Sequence, residues 1–212
     1  FSINEKKTRI TFRDSKQVVT GLVVNKKISV DHSYYRKVRA MAHSLYTNGS
    51  YSIDGIEGNV RQLEGRFAFI DQIEKYNNIC DSTGKHNAFT LNGRERQYQK
   101  FLFYRYFFDI DKPLIVTEGK TDIRYIKAAL RNLHSEYPEL VEKDASGKFI
   151  YKVNFFKRSK RFKYLFDLAL DGADSLTYLY NHFVSNGKDN RINYLDYFLR
   201  ITKRVPQYPV IF

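Results

Sequence analysis

Residues 112–133, KPLIVTEGKTDIRYIKAALRNL, constrain the fold more than any other stretch, because they read as a strand, a tight turn and a helix in immediate succession. Pro113 suits the first residue of a strand, where its missing N–H is not needed. Residues 114–117 form a short apolar run of the kind found in buried parallel strands. Gly119 tolerates a sharp turn. Thr121 or Asp122 is placed to cap a helix whose apolar face carries Ile123, Ile126, Ala129, Leu130 and Leu133. A strand feeding directly into a helix is half of a βαβ unit, and open α/β sheets bind ligands at the carboxyl ends of their strands. Glu118 stands at that end.

The 212 residues, 42% of them hydrophobic, suffice for a core of one large or two small domains. The formal charge of +13 is unevenly spread: residues 1–49 carry ten Lys or Arg against three Asp or Glu, whereas residues 50–108 are nearly balanced. Such a front suits a polyanion, with a merely soluble basic surface as the alternative. No run of eighteen apolar residues and no signal-peptide pattern is present, so no membrane partner is expected. The single Cys80 excludes an internal disulfide or a cysteine zinc cluster, and a cytoplasmic location is expected. The chain opens on Phe1 and closes on the apolar Val210, Ile211 and Phe212, which reads as a fragment of a longer polypeptide with a buried strand at its end.

In order, residues 10–12 and 18–24 read as short strands, with Gly21 marking a bulge or a close backbone approach. Lys6, Lys7, Arg9, Arg13, Lys16, Lys26 and Lys27 surround them, giving a small sheet with a basic face. Asp31 or Ser33 caps a helix running through Val38, Ala42 and Leu45 to a stop at Asn48 and Gly49, with Arg36, Lys37 and Arg39 on its other face. A second helix carries Ile56, Val60, Leu63, Phe67, Ile70 and Ile73, and Gly65 within it suggests close packing. Residues 77–94 read as a loop and residues 95–108 as a third, aromatic helix, read as core. A turn at residues 144–148 precedes a strand at residues 149–156. Lys157, Arg158, Lys160, Arg161 and Lys163 then alternate with Phe162, Tyr164 and Phe166; this is either a track for phosphates and stacked bases or the solvated face of a helix ending near residue 170. Helices at residues 175–184 and 194–204 follow.

Several blocks resemble the end of the palm and the thumb of retron-type bacterial reverse transcriptases. They are Phe1-Ser2-Ile3-Asn4 with Lys6-Lys7-Thr8, Val18-Val19-Thr20-Gly21-Leu22-Val23-Val24-Asn25, Tyr34-Tyr35-Arg36-Lys37-Val38-Arg39-Ala40 and Leu63-Glu64-Gly65-Arg66-Phe67-Ala68-Phe69-Ile70. The resemblance covers residues 1–108 and implies that this part grips structured retron RNA and its reverse-transcribed DNA. It makes Thr20, Gly21, Asn25, Lys26, Lys27, Arg36, Arg39 and Arg66 candidate nucleic-acid contacts, to which the basic residues Lys157, Arg158 and Arg161 are added. The Tyr-x-Asp-Asp motif of the polymerase site is absent, so these residues alone cannot polymerise.

Ile115-Val116-Thr117-Glu118-Gly119-Lys120-Thr121-Asp122 is similar to the first motif of Toprim domains. That resemblance covers residues 112–212 and implies Glu118 as a catalytic acid/base or Mg2+ ligand. The Asp-x-Asp pair that completes such a site is not in the chain, and Asp171 and Asp174 do not match it. Asp122 either supports Glu118 from behind or caps the helix, the cap being favoured. The expected fold is therefore mixed α+β and α/β: the end of a palm at residues 1–30, a three-helix thumb at residues 31–111 and the first part of a Toprim-like, Rossmann-like domain at residues 112–212. The combined order resembles retron reverse transcriptases that carry a Toprim nuclease effector in anti-phage defence, a homo-oligomer being left open. A non-catalytic RNA-binding and assembly module is the alternative.

Overall fold

The computed structural model describes residues 12–80, 91–168, 173–184 and 191–212. The strand expected at residues 10–12, apart from Phe12, lies outside them, as do Lys6, Lys7, Arg9, Asp171 and residues 81–90 of the expected loop. Among the described residues the architecture is mixed α and β, with seven α-helices and several small sheets.

Strands β1 (Val18–Val19), β2 (Leu22–Val23) and β3 (Ser29–Val30) form an antiparallel meander. Gly21 is neither a bulge nor a packing contact. With Thr20 at φ 49° and Gly21 at φ 85°, the pair makes the two-residue turn between β1 and β2, and a Cβ on Gly21 would meet nothing within 4 Å. Helix α1 (His32–Asn48) begins at Asp31, whose carboxylate accepts the Ser33 N–H at 2.7 Å, and ends at Gly49 in the left-handed conformation. Val38, Ala42, Leu45 and Tyr46 form its buried stripe.

Helix α2 (Val60–Cys80) starts later and ends later than the periodicity predicts. Ile56 lies instead in a hairpin of β4 (Ser52–Ile53) and β5 (Ile56–Glu57), where it is 75% exposed. The hairpin closes on Tyr51, whose hydroxyl donates to the Asn59 carbonyl at 2.6 Å and whose ring fills the space a Cβ on Gly58 would take. Gly65, expected at a close helix contact, faces open space. Helix α3 (Gly93–Phe103) opens with a reciprocal cap between Asn92 and Glu95 and runs into a π turn (Tyr104–Phe108). The wider turn buries Tyr104, Phe107 and Phe108 together.

The chain then enters β6 (Leu114–Ile115), the centre of a parallel sheet flanked by β9 (Asn154–Phe155) and β10 (Val210–Ile211). Between β6 and β9 lie α4 (Lys120–Asn132) and a hairpin of β7 (Val141–Lys143) and β8 (Phe149–Tyr151). The single strand expected at residues 149–156 is thus two strands with different partners. The side-chain alternation of β6 divides the molecule. Leu114 and Val116 join Phe156 in the main core, whereas Ile115 joins Phe155, Val153 and Leu130 in a smaller cluster beneath α4. On α4 the apolar stripe stops at Leu130: Ala129 is exposed and Leu133 is 39% exposed. Among the described residues β10 pairs with β6 alone, and Ile211 is 48% exposed where a buried strand is expected.

Helices α5 (Lys160–Leu165), α6 (Ala173–Tyr180) and α7 (Tyr194–Thr202) return the chain to the first half. α7 packs on α1 and the π turn, and Phe198 meets Tyr46, Phe103, Tyr104 and Phe108 at ring separations of 5.0, 6.2, 5.2 and 5.3 Å. The Tyr194 hydroxyl donates to Gln99 at 2.5 Å, and Gln99 donates to the Leu165 carbonyl at 2.6 Å, so a buried relay ties α7 to α3 and α5. One apolar core therefore runs from Val30 to Phe198 across the joint at residues 109–112.

Candidate nucleic-acid interface

The carboxyl end of β6 is built by short-range hydrogen bonds. The Thr117 hydroxyl donates to the Gly119 carbonyl at 2.8 Å, and the Gly119 N–H donates to the Asp122 carboxylate at 2.8 Å. Gly119 itself is the N-cap of α4, so neither Thr121 nor Asp122 is the cap residue. Asp122 sits three positions in and closes the first turn, where a carboxylate is also favoured by the positive end of the helix dipole. With the chain turned this way, Glu118 is left exposed at the mouth of a cleft of about 520 Å3.

Lys120, Arg124 and Lys127 line that cleft from α4, and Lys157, Arg158 and Lys163 line it from the segment after β9, with Ile123 and Phe156 also contributing. Lys127 leans over the rings of Tyr151 and Phe155 at 5.1 and 4.9 Å. Among the described residues six basic side chains thus line the cleft with one carboxylate, Arg158 being also held within the chain. Closely grouped ammonium and guanidinium groups repel one another, and a ligand with several anionic oxygens relieves that repulsion while accepting their hydrogen bonds. Phosphate groups have that chemistry.

A hard divalent cation asks for the reverse, several oxygen ligands. Among the described residues Glu118 is the one carboxylate lining the cleft, and no group of three or more His, Cys, Asp or Glu could hold a metal. The donors present here do not by themselves make the Mg2+ site that the Toprim resemblance implies, and the cleft's chemistry is that of its cations.

The other candidate residues are spread over separate places. Thr20 and Gly21 form the exposed turn between β1 and β2, and Lys26 and Lys27 are exposed between β2 and β3. The Asn25 amide is engaged within the chain, accepting from the Gln17 N–H at 3.0 Å and donating to the Ser15 carbonyl at 2.7 Å. Arg36 and Arg39 are exposed on α1, and Arg66 is half-buried on α2.

Two arginines of the basic stretch, Arg158 and Arg161, are engaged by partners within the chain. Arg158 donates to the Thr117 carbonyl at 2.5 Å and the Ser175 hydroxyl at 2.7 Å, pinning the end of β6 to α6. Arg161 pairs with Asp71 of α2 and, at 3.0 Å, with Glu95 of α3, both buried. Burial pushes the Asp71 carboxyl up, and Arg161 opposes that shift. The interleaved Phe162 and Phe166 are core residues, stacked at 4.1 Å, and Tyr164 donates its hydroxyl to Glu95 at 3.1 Å. Helix α5, which carries Phe162 and Tyr164, ends at Leu165, with Phe166 capping it.

Lys120, Arg124 and Lys127 escape a reading of the sequence for binding residues, although their spacing of four and three places them on one helical face. Lys163, which reads only as part of the charge run, belongs with them. No protein-family model matches the chain, and no solved structure matches it.

Proposed function

We propose that this chain holds nucleic acid by its phosphates, and that the cleft at Glu118 is where a phosphodiester is bound in a retron-type reverse transcriptase carrying a Toprim-like effector. The observation that carries the proposal is the basic lining around Glu118 at the carboxyl end of the central parallel strand, with Lys120, Arg124 and Lys127 on one face of α4 and Lys157 after β9. Cations on two converging segments neutralise a bound phosphodiester, and the exposed carboxylate between them is placed to exchange a proton with a water attacking phosphorus. The resemblance to the reverse-transcriptase thumb supports RNA and its DNA copy as the polymer held by the basic first half. A second reading, a binding and assembly module without chemistry, is favoured by Glu118 being the one carboxylate among the described residues that line the cleft.

The test is polyanion binding by a Lys120→Gln/Arg124→Gln/Lys127→Gln variant over a salt series, beside Glu118→Gln. Each phosphate that is no longer neutralised lowers the slope of log K against log salt by about 0.7 to 0.9, so the triple variant is expected to show a slope shallower by about two units. An unchanged slope would remove phosphate binding from the cleft. Glu118→Gln is expected to keep polyanion binding and to abolish toxicity of the full-length protein in cells. Persisting toxicity would select the module without chemistry.

A further inference from the structure

The cleft at Glu118 is not the only place where cations converge. Helix α1 turns Arg36, Arg39 and His43 to one side, three and four residues apart, and α3 faces them with Gln97 and Lys100. Tyr197 of α7 closes the end, enclosing a groove of about 340 Å3 that no carboxylate of the described residues lines. Elsewhere on α3, the π turn and α7 arginines meet carboxylates: Arg94 pairs with Glu74 at 2.7 Å, Arg105 with Glu64, and Arg200 with Asp196 at 3.0 Å. Among the described residues Arg36, Arg39 and Lys100 form no such pair. Arg39 lies 5.7 Å from the Tyr35 ring, and the Lys100 ammonium 4.2 Å from the Tyr197 ring. Tyr46, only 3% exposed on the inner side of the groove, has a hydroxyl without a hydrogen-bond partner among the described residues. That hydroxyl is itself enclosed, so Tyr46 forms the back wall of the groove, and the donors open to an occupant are those of Arg36, Arg39 and Lys100.

We infer that the groove between α1, α3 and α7 is a second phosphate-binding site, separate from the cleft at Glu118. Two guanidinium groups one turn apart, facing an ammonium across a groove, supply donors at several angles to one tetrahedral anion. An acidic peptide is a poorer occupant, because its backbone N–H groups need acceptors and the cations of the groove are donors alone. Tyr197 and Lys100 make the site depend on both α7 and α3, so it requires the folded whole. The phosphate is that of a free nucleotide or of a polynucleotide strand, which share this chemistry.

The experiment measures pyrophosphate binding by titration calorimetry to the wild-type chain, to Arg39→Gln/Lys100→Gln, and to the cleft variant Lys120→Gln/Arg124→Gln/Lys127→Gln. Both groove substitutions are at solvent-accessible side chains, and circular dichroism checks that the fold is kept. The wild type is expected to bind at two sites and each variant at one, the groove variant having its site weakened by about tenfold or more in affinity. A groove variant that binds as the wild type does overturns the inference and leaves the reading of the cleft untouched. A cleft variant that binds as the wild type does removes that reading and leaves the inference standing. A short labelled RNA then separates the sources. A fall of about one to two in its salt slope on Arg39→Gln/Lys100→Gln assigns the site to a strand, and an unchanged slope with pyrophosphate binding abolished assigns it to a free nucleotide. Poly-glutamate binding the groove as tightly as pyrophosphate overturns the phosphate assignment.

Discussion

Arg161 shows how much a single residue's role depends on what lies opposite it. Its guanidinium sits between Asp71, 6% exposed, and Glu95, 1% exposed, and joins α5 to α2 and α3. Removing one partner of such a group leaves buried charge uncompensated, which costs far more than the pair contributes when intact. Arg161→Met is therefore expected to lower the unfolding free energy by about 3–5 kcal/mol, read from the urea midpoint, with no change in the salt slope of RNA binding. A stable variant with a reduced slope would return Arg161 to the phosphate contacts. From sequence, Arg161 is one basic residue among five within seven positions, and nothing local distinguishes it from Lys157 or Lys160. The distinction comes from carboxylates 66 and 90 residues away.

At the scale of elements, the legible parts are those specified by neighbours in the chain. The α1 boundaries follow from Asp31 and Gly49, and the strand, turn and helix around Glu118 follow from Pro113, Gly119 and the stripe of α4. The hairpin at residues 52–57 escapes a local reading because Ile56 keeps helical spacing with Val60 and Leu63, while Gly55 at φ 84° and Asp54 at φ 51° make a turn. The α4 terminus carries a prediction of its own. Asp122→Ala removes the acceptor of the Gly119 N–H and the carboxylate of the first turn, and is expected to cost about 1 kcal/mol by thermal unfolding. Because Asp122 does not line the cleft, polyanion affinity is expected to stay unchanged or rise slightly as one negative charge is removed. A large drop in affinity would instead make Asp122 part of the site.

For the whole molecule, one aromatic core joins the two halves, and its tyrosines make stability depend on pH at the alkaline end. Burial pushes Tyr98 and Tyr104 from an ordinary value near 10 up to about 12, and raises Tyr46 and Tyr194 further. A group whose pKa is raised by folding contributes stability that is intact below its unfolded value and is lost as pH climbs through its folded one. Unfolding is therefore expected between about pH 10 and 12, with the buried tyrosines ionising in the same transition that abolishes the far-ultraviolet dichroism. Ionisation of every tyrosine near pH 10 with the fold intact would contradict this.

The sequence by itself determined the helices with clear caps and stripes, the strand leading into Glu118, and the basic excess of the chain. Those features rest on interactions a few residues apart, and on charge, which needs no fold to be counted. The tertiary structure alone decided which cations face a cleft and which are held by buried carboxylates. It also decided that α7 closes a groove on α1, and that β6 lies between β10 and β9. These outcomes depend on contacts between residues far apart in the chain, and no local pattern of residue types carries that information.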